Sequence, residues 1–143
     1  MNYFTLFLTI ALLAAISGLR APVRKSKFGM STVCKAMIEC PAGSFEDEVV
    51  NSKVPVIVDF YANWCGPCKV VAPIFKALAE EYPDNVLKFV KVDTDLHESA
   101  VDSYNIQGLP LFAIFKDGKV VASHSGALSK EPLKKFIGKQ IQS

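Results

Sequence analysis

Hydrophobic residues along this chain change pattern several times. Val54-Pro55-Val56-Ile57-Val58-Asp59-Phe60-Tyr61 is apolar almost without a break, which predicts a central strand covered on both faces. Val70, Val71, Ile74, Phe75 and Leu78 then recur at helical spacing, the buried stripe of a helix that starts near Cys65. Pro73 falls inside that helix and should kink it; Tyr82-Pro83-Asp84-Asn85 ends it. Residues 86–92, rich in Val and Phe, predict another strand.

The flanking segments complete the pattern. Residues 36–40 form a short candidate strand, broken by Pro41-Ala42-Gly43. Ser44 with Asp47 three residues on predicts a helix start, with Phe45, Val49 and Val50 on one side. Asp95-x-x-Glu98 predicts the cap of a third helix carrying Ala100, Val101 and Tyr104. Pro110 opens a strand over 111–115, and Asp117-Gly118 predicts a tight hairpin into 120–125. Ser129 is placed to cap a last helix, with Pro132 in its first turn and Leu133, Phe136, Ile137 and Ile141 as its buried stripe. The order βαβαβαββα gives parallel crossovers followed by an antiparallel pair. That is an α/β fold with a central mixed β-sheet flanked by helices.

Charge separates the domain from what precedes it. The 143 residues suffice for one domain and a short extension. Being 50% hydrophobic and 21% charged, the chain has a globular rather than a disordered composition. Its net charge of +2 is uneven: residues 1–35 hold five of the 16 basic residues (Arg20, Arg24, Lys25, Lys27, Lys35) and none of the 14 acids. The remainder has 11 against 14, a net charge of −3, so the basic balance belongs to the leader and gives no reason to expect nucleic-acid binding. Residues 4–16 are apolar apart from Thr5 and Thr9, and Ser17-Gly18 suits signal-peptidase cleavage. Residues 1–18 therefore read as a signal peptide, with an uncleaved membrane anchor as the competing reading. Residues 19–35 are basic, acid-free and hydroxyl-bearing, a transit-like segment or a linker. The pair resembles the two-part leader of algae with secondary plastids, although Leu19 stands where an aromatic residue commonly follows the cleavage site. A plain secretory signal with an unstructured linker is the alternative.

Candidate chemistry centres on two of the four cysteines. Cys34, Cys40, Cys65 and Cys68 are too few for a disulfide scaffold, and only Cys65 and Cys68 have a close spacing. Cysteines separated by two residues can close a small disulfide ring and reopen it. At a helix start the first sulfur meets unpaired N–H groups and the positive end of the helix dipole, which stabilise its thiolate. Cys65 is thus the candidate nucleophile. Cys68, one turn further in, is the candidate resolving thiol, expected to be more buried and less acidic. A structural cysteine or a zinc ligand is the competing reading, but zinc needs about four ligands and no second Cys-x-x-Cys or paired His motif is present. His97 and His124 read as ordinary surface or hairpin residues. The expectation is a redox-active Cys65–Cys68 disulfide with no metal and no other cofactor. Cys40 reads as a buried or half-buried thiol; Cys34 either leaves with the leader or lies in an arm, and a regulatory Cys34–Cys40 disulfide is the other possibility. Asp59 interrupts the covered strand. Its carboxylate should be costly to ionise, and a raised pKa suits a general base that takes the Cys68 proton. A polar accident of the core is the alternative for Asp59.

Trp64-Cys65-Gly66-Pro67-Cys68-Lys69 resembles the active-site signature of thioredoxins. Asp59, Pro73, Gly108-Leu109-Pro110, Lys116-Asp117-Gly118 and Gly126-Ala127-Leu128-Ser129-Lys130 match the family pattern in order and spacing. The resemblance covers residues 36–143 and implies a thioredoxin domain there. It implies an Asp beneath the dithiol at Asp59 and a lysine that tunes it at Lys91, for which an exposed strand-end lysine is the alternative. It also implies a cis-proline at Pro110 beside the disulfide. Leu109 would offer backbone groups to an extended substrate strand. The place of Trp64 before Cys65, with Gly66, Pro67 and Gly126 around it, points to a half-exposed recognition surface; a core tryptophan is the alternative. Pro67 implies a good electron donor, where isomerase-type relatives carry Gly-His. Leu111 departs from the Thr that often follows this proline.

The expected function is a thiol-disulfide oxidoreductase, a protein-disulfide reductase acting as electron carrier. It would reduce client proteins and be reset by a thioredoxin reductase. Its Gly-Leu-Pro, Phe-Lys-Asp-Gly-Lys and Gly-Ala-Leu-Ser-Lys segments look most like plastid types of the x, y or m groups, which implies the plastid stroma and a ferredoxin-dependent reductase. The secretory pathway or a membrane-anchored form is the alternative location, and no stable membrane association is expected once the leader is cleaved. Two other functions fit the residues: a secretory-pathway disulfide oxidase or isomerase, and a non-enzymatic adaptor that binds through the Trp64–Pro110 surface.

Overall fold

The computed structural model describes residues 37–142. The expected leader segments 1–18 and 19–35, Cys34, and Ala36 of the first expected strand lie outside the described residues. Five strands, β1 (Ile38–Glu39), β2 (Val56–Tyr61), β3 (Lys88–Asp93), β4 (Leu111–Lys116) and β5 (Lys119–Ser125), form one mixed sheet in the order β1-β3-β2-β4-β5. β2 is central, parallel to β3 and antiparallel to β4. β1 extends the sheet beside β3 in parallel, and β5 pairs with β4 in antiparallel. The helices are α1 (Gly66–Ala79), α2 (Glu98–Ser103) and α3 (Lys130–Ile141), with a π-helical turn at Glu46–Val50. This is the expected mixed sheet between helices.

Strand alternation splits the core in two. Val56, Val58 and Phe60 of β2, with Val90, Val92, Ala113 and Phe115, pack on Phe45, Val49 and Tyr104. On the other face Ile57, Phe89, Phe112 and Ile114 meet Val71, Phe75 and Leu78 of α1 and Leu133 and Ile137 of α3. Each fully buried Val, Leu, Ile or Phe side chain gains roughly 1.5–3 kcal/mol on burial, and Asp59 sits among this second set at 0% exposure. Ion pairs join α3 to the end of α1. Glu81 accepts from Lys130 at 2.6 Å and Lys134 at 2.7 Å, and these two ammonium groups hold its carboxyl down at about 2. Pro73 lies inside α1 and supplies no N–H to the i→i−4 ladder.

Several local expectations are corrected. Ser44 does not cap a helix through Asp47; its hydroxyl donates back to the Pro41 carbonyl at 2.8 Å, and the π-helical turn begins after Phe45. It closes with the Asn51 N–H on the Glu46 carbonyl at 2.7 Å. The strand expected from Val54 begins at Val56, after Pro55, which has no N–H to pair. The strand expected over 86–92 runs two residues later at its start, because the N–H groups of Val86 and Leu87 fold back to the Pro83 carbonyl. Asp95 and Glu98 form no cap: His97 occupies the N-cap of α2 without a side-chain bond, and Asp95 is engaged elsewhere. Ser129 holds the N-cap position of α3, yet its side chain makes no capping bond. His97 is no surface residue. It is 4% exposed, with Nδ1 3.0 Å from the Asp93 carbonyl and Nε2 3.1 Å from the Pro41 carbonyl, bridging two loops. The hairpin is as expected. Asp117 and Gly118 both take positive φ, +50° and +73°, as a two-residue turn between twisted strands requires.

Candidate active site

β2 leaves the core at Tyr61 and the chain turns through Ala62, Asn63 and Trp64 into α1. The Cys65 N–H donates to the Ala62 carbonyl at 3.1 Å, which closes the turn and sets Cys65 at the helix N-cap. Its backbone there is extended, and its Sγ accepts the Cys68 N–H at 3.2 Å. A sulfur thus takes the place of the oxygen that usually satisfies one of the helix's first unpaired donors. Gly66 and Pro67 form the first turn; proline fits there because its missing N–H is not needed. Cys65 and Cys68 are joined by a disulfide, with Cα atoms 5.4 Å apart. Their exposures are 5% and 3%, so burial does not distinguish them as expected. Position does: Cys65 caps the helix and Cys68 lies within its first turn.

The dithiol packs against Ala62, Tyr61 and Leu109. Leu109 precedes Pro110 through a cis peptide bond, and the Pro110 carbonyl accepts the Gly126 N–H at 2.8 Å. Gly126 has φ +103°, a conformation that side chains disfavour. Trp64 is 73% exposed, more than the half-exposure expected. Its indole N–H donates to Asp95 Oδ1 at 3.3 Å. Asp93, a residue that sequence reasoning missed, organises this rim: Oδ2 accepts from the Asn63 amide at 2.9 Å and Oδ1 from the Asp95 N–H at 3.0 Å. Trp64, Leu109, Ile106 and Val101 line an open groove of about 210 Å³. A larger cleft of about 270 Å³ lies beside Phe45 and His97 and has neither sulfur in its lining, so size alone is a poor guide to the chemistry here.

Beneath the dithiol helix, Asp59 and Lys91 face each other across β2 and β3. Neither carboxyl oxygen of Asp59 has a hydrogen-bond partner among the described residues. Burial pushes its pKa from 3.8 up to about 7, against a smaller downward pull from the Lys91 ammonium. Lys91 is 8% exposed rather than free at a strand end, and its Nζ lies 3.8 Å from the centre of the Tyr61 ring. Cys40 is a free, buried thiol whose pKa burial raises; its partner in the possible regulatory disulfide, Cys34, is outside the described residues. Among the described residues no group of three or more His, Cys, Asp or Glu is arranged to hold a metal ion.

Residues 36–139 match the family model described as Thioredoxin. The chain belongs to the thioredoxin family. Over 98 residues it is 45% identical to Thioredoxin of Acidithiobacillus ferridurans, covering 68% of this chain and 90% of that protein. It is also 44% identical over 98 residues to Thioredoxin 1 of Synechococcus elongatus, covering 68% of this chain and 91% of that protein. Thioredoxin X, chloroplastic, of Arabidopsis thaliana is 38% identical over 135 residues, covering 92% of this chain and 72% of that protein. Thioredoxin-family membership together with the Cys65–Cys68 pair supports a thiol-disulfide oxidoreductase.

Proposed function

We propose that this thioredoxin-family chain is a protein-disulfide reductase of a plastid, of the x, y or m type, reset by a ferredoxin-dependent reductase. The observation that carries the reductase reading is the Cys65 sulfur at the helix cap, accepting the Cys68 N–H and already bonded to Cys68. In the reduced protein the same N–H and the helix dipole stabilise a Cys65 thiolate. That thiolate attacks one sulfur of a client disulfide, forming a mixed disulfide and releasing the other client sulfur as a thiolate. Asp59 takes the Cys68 proton; its raised pKa, about 7, suits the exchange. The Cys68 thiolate then attacks Cys65, the client leaves with both cysteines reduced, and the chain is left in the oxidised state seen here. A reductase must return two electrons and two protons.

Trp64, Gly66, Pro67 and the Leu109–Pro110 segment form the client-facing surface, with Leu109 packed against the two cysteines. The Leu109 backbone is available to pair with an extended client segment. Plastid location is supported by the similarity to thioredoxin X, chloroplastic, which reaches into residues ahead of the domain, and to Thioredoxin Y2, chloroplastic, of the same plant.

Insulin reduction by the recombinant domain with dithiothreitol tests the activity. Acceleration that disappears in Cys65→Ser is expected; no acceleration, or full activity in that variant, overturns the reading. Reduction by ferredoxin-dependent and NADPH-dependent reductases, compared side by side, tests the electron source. The leader fused to a fluorescent protein tests the compartment, and retention in the secretory system would remove the plastid claim.

A further inference from the structure

The Lys91 ammonium has two neighbours on β2, Asp59 and Tyr61, and among the described residues it engages Tyr61. It stands opposite Asp59 in register, yet both Asp59 oxygens are without a hydrogen bond among the described residues. Instead Nζ sits over the Tyr61 ring, 3.8 Å from its centre, well inside the range of a cation–π contact. Asp59 and Tyr61 are two residues apart on β2 and so present their side chains to the same face, the one α1 covers. Cys68, Tyr61 and Lys91 also line one cleft of about 110 Å³, together with Lys69.

We propose that Tyr61 is a positioning residue of the proton-transfer step, its ring holding the Lys91 ammonium beside the Asp59 carboxyl without letting the two pair. The proposal rests on Asp59 being the base for Cys68. A carboxylate paired directly with an ammonium is a poor base, because an opposite charge within about 4–6 Å lowers its pKa by about 1–3 units. A carboxylate with no cation nearby in this core would be harder still to ionise. The ring keeps Lys91 between these limits, so that Asp59 can take the Cys68 proton and give it up again. Burial and the neighbouring acids Glu39, Asp93 and Asp59 raise the Tyr61 phenol pKa, which keeps the ring neutral.

The other charged groups around the ammonium do not replace the ring. Glu39 of β1 pairs with Lys91 in register but is exposed. Asp93 of β3 is committed to Asn63 and Asp95. From α1 come Lys69, of like charge, and the two cysteines; from β4 the residue opposite Asp59 is the uncharged Phe112.

The test is a carbon-13 NMR titration of the Asp59 carboxyl in the oxidised full domain, a readout that does not require client reduction. Tyr61→Phe keeps the ring face and leaves the midpoint in place. Tyr61→Leu frees Lys91 to reach the carboxylate and lowers the midpoint by about one pH unit or more. Lys91→Gln raises it, and Tyr61→Leu in the Lys91→Gln background produces no further change. The control matters because a smaller side chain also admits water. A drop that persists without Lys91 is hydration and overturns the proposal, as does a midpoint that Tyr61→Leu leaves unchanged or raises, or that Lys91→Gln does not raise. Tyr61→Met, closer in volume, serves in the same cycle if Tyr61→Leu does not fold. A chain inactive toward insulin with these titrations intact would refute the reductase reading and leave the Tyr61 proposal's geometry standing.

Discussion

Replacing Asp59 by Asn should stabilise the folded protein, and by an amount that depends on pH. In the folded state the Asp59 carboxyl is neutral below about 7, against an ordinary value of 3.8. Folding therefore favours the protonated form. Stability from this group is fully present below about pH 4, falls as pH rises, and is lost by about pH 7. At about 1.4 kcal/mol per pH unit, a displacement of roughly three pH units makes the ionised group cost about 4 kcal/mol. About 3 kcal/mol of this falls between pH 5 and pH 9. Asn cannot ionise, so its own packing cost is the same at both pH values and cancels in the comparison. The assay is urea unfolding of the oxidised wild type and Asp59→Asn at pH 5 and pH 9. The gain in stability from the substitution should be larger at pH 9 by about 3 kcal/mol. A gain that is equal at the two pH values, or larger at pH 5, would refute a buried carboxyl that titrates near neutrality. If Asp59 is also the base, the same variant should slow release of the mixed disulfide.

Further outcomes follow from the remaining contacts. Cys68→Ser should accumulate a mixed disulfide between Cys65 and a client, visible as a mass adduct that dithiothreitol removes; a variant that releases its client at the wild-type rate would argue against Cys68 as the resolving thiol. Trp64→Ala should raise the KM for a protein client with little change in unfolding midpoint, since the ring is 73% exposed. Asp95→Ala should shift the fluorescence of the chain's single tryptophan, because it removes the oxygen that accepts the indole N–H; an unchanged spectrum would dismiss that bond. His97→Ala removes the ring that bridges the Asp93 and Pro41 carbonyls and should cost about 1–3 kcal/mol in urea unfolding; a loss near zero would mean the bridge contributes nothing.

The sheet and helices were legible because their periods are carried by local runs. The apolar stretch ending at Tyr61, the stripe of Val71, Phe75 and Leu78, and the Asp117-Gly118 turn need only neighbouring residues to be recognised. The dithiol was legible for the same reason: strand, turn, two cysteines and a proline lie within a dozen residues. What escaped depends on partners distant in sequence. Asp93 acquires its role from Asn63, 30 residues away, and His97 from Pro41, 56 residues away. The Asp95-x-x-Glu98 pattern misled because the Asp95 carboxylate finds the Trp64 indole, 31 residues away, in place of a helix end. Tyr61 read as one more apolar strand position; that its ring faces an ammonium follows only from the register that sets Asp59 opposite Lys91.

In the proposed mechanism the helix cap, and not exposure, makes Cys65 the reactive sulfur, since the two cysteines are almost equally buried. Sub-stoichiometric alkylation of the freshly reduced protein at neutral pH, mapped by peptide mass spectrometry, tests this directly. Modification concentrated on Cys65, with Cys68 spared, is predicted. Equal labelling of the two, or preference for Cys68, would contradict it.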